Sequence, residues 1–395
     1  MGLGRFAFTA VLPMMQDGEG VSAGNGSLLA TGNYVGYLVG AVMAMVLGVV
    51  VERRIVWQLS RLALVASLFL MAASDQLWLW LAWRVIAGVA SALLFIAVVR
   101  MIVKATWSHH HAGWAYGGVG AGIAMSSIIA SVCDLFGGWR IAWVLTGLVV
   151  AVLLTVGSPR DDADPDPLEV PGSDAMATSH DIDPGINLDT GGRMFWMLVA
   201  SYLLEGAGYI VAGTFLVATA HAVSTPGVAH SLWLIVGLAA VPSSVLWAWL
   251  SHHVSRPTLL AAALTLQAGG IALTGSTAGT SAVIATGLLF GGTFMGVTTL
   301  ALAAGNDFTV PAAVAILSAA YAIGQVVGPV LVAPLLARGY QPALMGAAVI
   351  VALAASLAVL LRLRSPRHLL LAPAASRVAT HDQLTSREGT RSCAG

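Results

Sequence analysis

Eleven stretches of this chain are apolar for long enough to cross a membrane, and nothing else about it limits the fold so strongly. A helix needs about 20 apolar residues to traverse the ~30 Å hydrocarbon core. Such runs lie near 26–51, 58–74, 77–103, 112–133, 140–157, 194–219, 230–250, 257–275, 281–304, 311–336 and 342–362. Composition agrees: 9% of the residues are charged, against roughly 25% in a soluble domain, too few to cover a water-exposed surface. The eighteen basic and eighteen acidic residues cancel, so no overall field points to nucleic acid. Two cysteines, Cys133 and Cys393, cannot build a disulfide framework. The expected class is an all-α polytopic membrane protein.

The opening residues MGLGRFAFTAVLPMM (1–15) are apolar but short, and they carry Arg5. If they span, there are twelve helices in two sets of six. The sets are 1–157 and 194–364, separated by an interval at 158–193 and followed by a tail at 365–395. The interval holds nine acidic residues, several prolines and no helical period, which reads as a solvated linker. The tail reads as disordered. Arginine and lysine placement orients the chain. With the N-terminus in the cytoplasm, Arg53, Arg54, Arg61, Arg100, Lys104, Arg160, Arg193, Arg256 and the tail arginines face inward. Arg140 and Arg338 remain outside, which satisfies the positive-inside rule.

The two halves superpose on paper at a constant offset of 204. Gly2 and Gly4 fall on Gly206 and Gly208, Ser27-Leu28 on Ser231-Leu232, Gly88 on Gly292, and Gly120 on Gly324. Six spans per half make these parallel repeats, the plan of two-bundle transporters. On this reading Gly206 sits mid-helix, so the opening stretch is no signal peptide. It is the second half of a first helix that either starts upstream of Met1 or has lost its cytoplasmic part.

Several motifs resemble the major facilitator superfamily. Arg84-Val85-Ile86-Ala87-Gly88 resembles its R-x-x-x-G pattern, and GGVGAG (117–122) and GQVVGP (324–329) resemble its glycine-proline helices. Gly48-x-x-x-Glu52-Arg53 is a degenerate form of its loop motif, with Ile55 where a glycine is expected. GLGRFAFTAVLP, GNYVGYLVGA (32–41) and LLEGAGYIVAGTFLVA (203–218) are similar to the YbfB/YjiJ group of that superfamily. The resemblance implies a transporter fold of two parallel six-helix bundles in the cell membrane, a bacterial inner membrane, with both termini cytoplasmic.

Charges inside hydrocarbon cost roughly 2.5–3.5 kcal/mol each on insertion scales, so they face a cavity or a partner. Glu205 is the acidic residue deep within a span, beside Gly206-Ala207-Gly208. It is a candidate for proton coupling, against a permanent Glu–Arg lock between helices. Arg84 suits an anionic solute or the tuning of a proton site, against a snorkelling arginine. Arg5 maps onto Tyr209, one turn from Glu205, so Arg5 and Glu205 are expected to face each other. Asn33 and Tyr37, four apart, share a helix face. With Tyr209 and Gln325 they complete the candidate pathway. Tyr34, Tyr116, Gln267 and Tyr321 are further polar candidates. Gly88, Gly120, Gly206, Gly208, Gly324, Gly328 and Pro329 are read as packing or gating positions.

His109-His110-His111 and His252-His253 fall in short loops where neighbouring rings diverge, so no metal site is expected. No Walker motif, nucleophile–base pair or zinc-ligand spacing is present. The expectation is a secondary transporter working by alternating access as a monomer in the lipid bilayer. Its partners are a small solute and protons, with no cofactor, nucleic acid or enzymatic activity. The alternative is a sensor or scaffold that keeps the fold without transporting.

Overall fold

The computed structural model describes residues 2–47, 53–104, 109–136, 138–157, 188–223, 226–276, 280–308, 310 and 313–365. Among them are twelve helices and no strand. They are α1 (Gly2–Glu19), α2 (Ala23–Leu47), α3 (Arg54–Ala73), α4 (Leu77–Lys104), α5 (His109–Phe136) and α6 (Gly138–Val156). The second set is α7 (Leu188–Val223), α8 (Pro226–Leu250), α9 (Arg256–Ser276), α10 (Thr280–Gly305), α11 (Ala313–Leu336) and α12 (Tyr340–Arg364). The chain is a multi-pass membrane protein: eleven of these helices are long and apolar enough to span.

The helix outside that count is α1, and its surroundings explain why. Every residue from Gly2 to Met15 is buried, against α5, α6 and α7. A helix wrapped in protein never meets lipid, so it can carry Arg5, Thr9 and Pro13. It runs on past the opening fifteen residues, and its 18 residues reach about 27 Å at ~1.5 Å per residue. Its counterpart α7 is similarly enclosed: 89% of its most apolar window is buried, against 33% for the outward-facing α3 and α6.

Within the first half α2 packs on α4, α3 on α4 and α6, and α1 on α5. Within the second, α8 packs on α10, α9 on α10 and α12, and α7 on α11 and α12. Three seams join the halves: α5 with α8, α2 with α11, and α1 with α7. Small residues let these backbones meet, as expected where lipid leaves only van der Waals packing to drive helix association.

The halves repeat, but the offset drifts. A Cβ on Gly2 would strike the Val119 carbonyl and one on Gly206 the Tyr321 carbonyl. Gly122 lies against Gly2 and Leu3, and Gly324 against Gly206 and Ala207. These equivalent crossings keep 204 for α1 and α7 but need 202 for α5 and α11 (119 to 321, 122 to 324). At α2–α4 and α8–α10, Gly88 meets the Asn33 carbonyl and Gly291 the Val236 carbonyl, a shift of 203 (88 to 291, 33 to 236). Gly120, the paper mate of Gly324, therefore packs on Gly237 and Val241 of α8. Gly292, the paper mate of Gly88, has open space where a Cβ would go. Loop lengths differ between the halves, and crossings outlast them.

Two further boundaries differ from the sequence reading. Residues 188–193, assigned to the linker by composition, belong to α7, and His109–His111 form the first turn of α5. The acidic interval up to 187, residues 48–52 of the loop motif, and the tail from 366 lie outside the described residues.

Candidate functional site

The two halves meet at α1 and α7, where the Thr9 hydroxyl donates to the Gly213 carbonyl at 2.5 Å. The two residues are repeat mates, so the axis relating the halves passes through this contact. At the next residue of α7, the Thr214 hydroxyl meets the Tyr34 hydroxyl of α2 at 2.9 Å. Pro13 removes the amide that would bond the Thr9 carbonyl, and Pro329 the one that would bond the Gln325 carbonyl. Both interruptions adjoin the polar residues below.

Arg5 is buried at 6% exposure. Its guanidinium carbon lies 4.3 Å from the Tyr37 ring centre, 5.3 Å from Tyr34 and 5.4 Å from Phe6, distances suited to cation–π attraction. Its Nη2 donates to Gln325 Oε1 of α11, while its Nε has no acceptor. Arg84, 2% exposed, does not snorkel. Its guanidinium lies over Phe8 at 4.5 Å, its Nε reaches the Leu29 carbonyl at a long 3.4 Å, and its Nη1 has no partner. Asn33 donates to the Arg84 carbonyl at 2.9 Å, tying α2 to α4. Asn33 and Tyr37 thus serve different neighbours, α4 and α1.

Glu205 is 1% exposed. Gln267 Nε2 of α9 donates to its Oε1 at 2.9 Å, and its Oε2 has no partner. Arg5 and Glu205 form neither a hydrogen bond nor an ion pair. Each takes a neutral glutamine instead. A stack of aromatic rings runs close to both. Tyr202 stacks on Tyr321 at 4.5 Å, Tyr321 on Tyr209 at 5.9 Å, and Tyr209 on Phe294 at 4.6 Å. Tyr209 and Tyr321 lie within electrostatic reach of both Arg5 and Glu205. The arrangement is one carboxyl group and two guanidiniums, all buried, with tyrosines close to the acid and to Arg5.

Sequence reading missed Tyr202, Phe290 and Phe294. For α7 the signal was available: Tyr202, Glu205 and Tyr209 recur at one-face spacing. Phe290 and Phe294, four apart on α10, share a face, but nothing in that all-apolar helix says where it points.

The glycine candidates sit at crossings. Gly206, Gly324 and Gly328 bring α7 against α11, at the carbonyls of Tyr321, Leu203 and Ala207 respectively. Gly208 lies against Ala347 of α12, and Gly88 joins α4 to α2. His252 and His253 occupy the turn after α8, His253 beside the Trp249 ring at 4.9 Å. The side chain of Tyr116 lies outside the described residues.

Twelve helices in two repeating halves, meeting over a buried polar cluster, now stand beside the comparison with known families. A family model described as "Uncharacterised MFS-type transporter YbfB" matches residues 1–360. The chain belongs to this family of transporters. The match runs from α1 almost to the end of α12, so it takes in the whole cluster. A comparison with curated proteins gives no match. Membership in the YbfB-like family makes this a multi-pass transporter of the major facilitator superfamily and leaves its solute to be argued from the site.

Proposed function

We propose that this family member is a secondary active transporter, moving a small solute between its halves by alternating access, with Glu205 as the proton carrier. One observation carries the reading: a fully buried carboxyl group in α7 has a single neutral donor, no cation, and one oxygen with no partner at all. A permanent structural lock would pair that group with an arginine. A carboxyl group held by an amide alone can gain or lose a proton whenever the seam opens to water on one side. The solute enters among Arg5, Tyr37, Tyr209 and Gln325, and the transporter works as a single chain in the bilayer.

Orientation follows from charge. Arg53, Arg54, Arg193, Arg256, Arg362 and Arg364 collect at one end of the helices, and Asp17, Glu19, Asp75 and Arg140 at the other. The basic end supports a cytoplasmic assignment. Flux into proteoliposomes under an imposed pH gradient tests the function. Wild type is expected to accumulate solute, and Glu205→Gln to lose accumulation while retaining solute exchange. Gradient-driven accumulation unchanged in Glu205→Gln would remove Glu205 from the coupling step.

A further inference from the structure

The seam carries more positive charge than its own residues neutralise. Among the described buried side chains, Arg5 and Arg84 are the cations and Glu205 is the acid. Glu205 is held by Gln267 and forms no ion pair with either arginine. Arg84 and Arg5 lie within electrostatic reach of each other, so each raises the cost of the other's charge. Neither has a carboxylate partner, and each leaves a buried N–H without an acceptor, Nε of Arg5 and Nη1 of Arg84.

Buried guanidiniums ordinarily pair with anions, because an uncompensated charge in a low-dielectric interior is expensive. Here their orientation is fixed by groups that do not neutralise them. Gln325 and the rings of Tyr37, Tyr34 and Phe6 hold Arg5, and Phe8 covers Arg84. Phe6 in turn meets Phe294 edge to face at 6.1 Å. Phe294 begins the stack that runs through Tyr209. The unpartnered donor of Arg5 thus lies next to Phe6, which leads into this aromatic stack.

We propose that the transported solute is a small organic monocarboxylate with a planar apolar body, its carboxylate received by Arg5, its charge favoured by Arg84 behind, and its body laid along Phe294 and Tyr209. The assignment rests on the transporter reading and names its substrate class. A cationic solute would approach two positive charges, and a neutral one would leave them uncompensated.

Four probes separate charge from shape: benzoate, cyclohexanecarboxylate, benzylamine and benzyl alcohol. Binding to the purified full chain is measured by thermal stabilisation and calorimetry, and transport by counterflow of labelled probe in proteoliposomes. Benzoate is expected to bind, cyclohexanecarboxylate to bind more weakly, and the other two not to bind. Arg5→Gln is expected to weaken benzoate roughly ten- to a hundred-fold, the size of a lost charge-assisted hydrogen bond. Arg5→Lys keeps the charge and should recover part of that loss, which separates recognition from misfolding. Benzylamine or benzyl alcohol binding as well as benzoate overturns the assignment. So does an Arg5→Gln protein that binds benzoate like wild type, or a wild type that binds neither carboxylate. Failure of the transporter reading has a different signature: benzoate would bind in an Arg5-dependent way, yet no probe would cross.

Discussion

Glu205 and Gln267 form the pair on which a residue-level argument turns. In Glu205→Gln the new amide oxygen still accepts from Gln267 Nε2, so the hydrogen bond survives and the proton site does not. That variant should fold with a melting temperature close to wild type while losing gradient-driven accumulation. Gln267→Leu does the reverse. It leaves the acid in place and removes its one donor, so an interaction of about 1.5–3 kcal/mol to a charged group is lost. Its expected signature is a displaced pH profile of transport with exchange still present, measured by solute counterflow across a pH series. A profile superimposable on wild type would mean that Gln267 does not tune the acid. Tyr34→Phe offers a milder comparison: it removes the hydroxyl contact to Thr214, an interhelical bond of a kind worth about 0.6 kcal/mol in membranes.

At the scale of helices, glycine decides how closely two backbones approach, and it does so at particular positions. A methyl group on Gly324 would press into the Leu203 carbonyl, and one on Gly88 into the Asn33 carbonyl, whereas Gly118, Gly269 and Gly292 have room for one. Gly324→Ala and Gly88→Ala are expected to cost about 1–3 kcal/mol, as overpacking does. They should lower the melting temperature in detergent, while Gly292→Ala stays near wild type. The last comparison is pointed, because alignment pairs Gly88 with Gly292 and would predict the same outcome for both. Spans are legible in a sequence because an apolar run is a local property, and the helices lie where the runs do. Rotation of each helix about its own axis is not legible when the helix is apolar all round, as α10 is. That is why nothing along α10 marks Phe294 as facing inward. The partners of the charged residues were hidden for another reason. Arg5 and Gln325 are 320 positions apart, and no pattern along the chain joins them. Gln267 and Tyr321 stood out as polar residues in hydrocarbon, but not as the neighbours of Glu205 and Tyr209.

For the molecule as a whole, the seam is clasped differently at its two ends. At the acidic end Gln16 of α1 donates to the Tyr340 hydroxyl of α12, and His221 of α7 lies 3.8 Å from Asp17. From the midplane toward the basic end, α5 and α8 close on each other, Gly120 on Gly237 and Gly117 on Val241. The alternating access proposed above requires the two clasps to open in turn. With Cys133 and Cys393 replaced by alanine, Gln16→Cys and Tyr340→Cys bridged by a short bis-thiosulfonate, which forms disulfides, should stop flux, and reduction should restore it. Undiminished flux in the bridged protein would exclude opening at that end. Sidedness has its own test. Glu19→Cys is expected to react with a membrane-impermeant maleimide on intact cells, and His252→Cys only after permeabilisation.

The enclosure of α1 also bears on how the protein is made. A helix with no lipid-facing side has little affinity for the bilayer by itself, and α5, α6 and α7, which bury it, are synthesised later in the chain. Its packing contacts therefore form late in synthesis, and a nascent chain arrested after α4 is expected to leave α1 more accessible to an aqueous label than the full chain does.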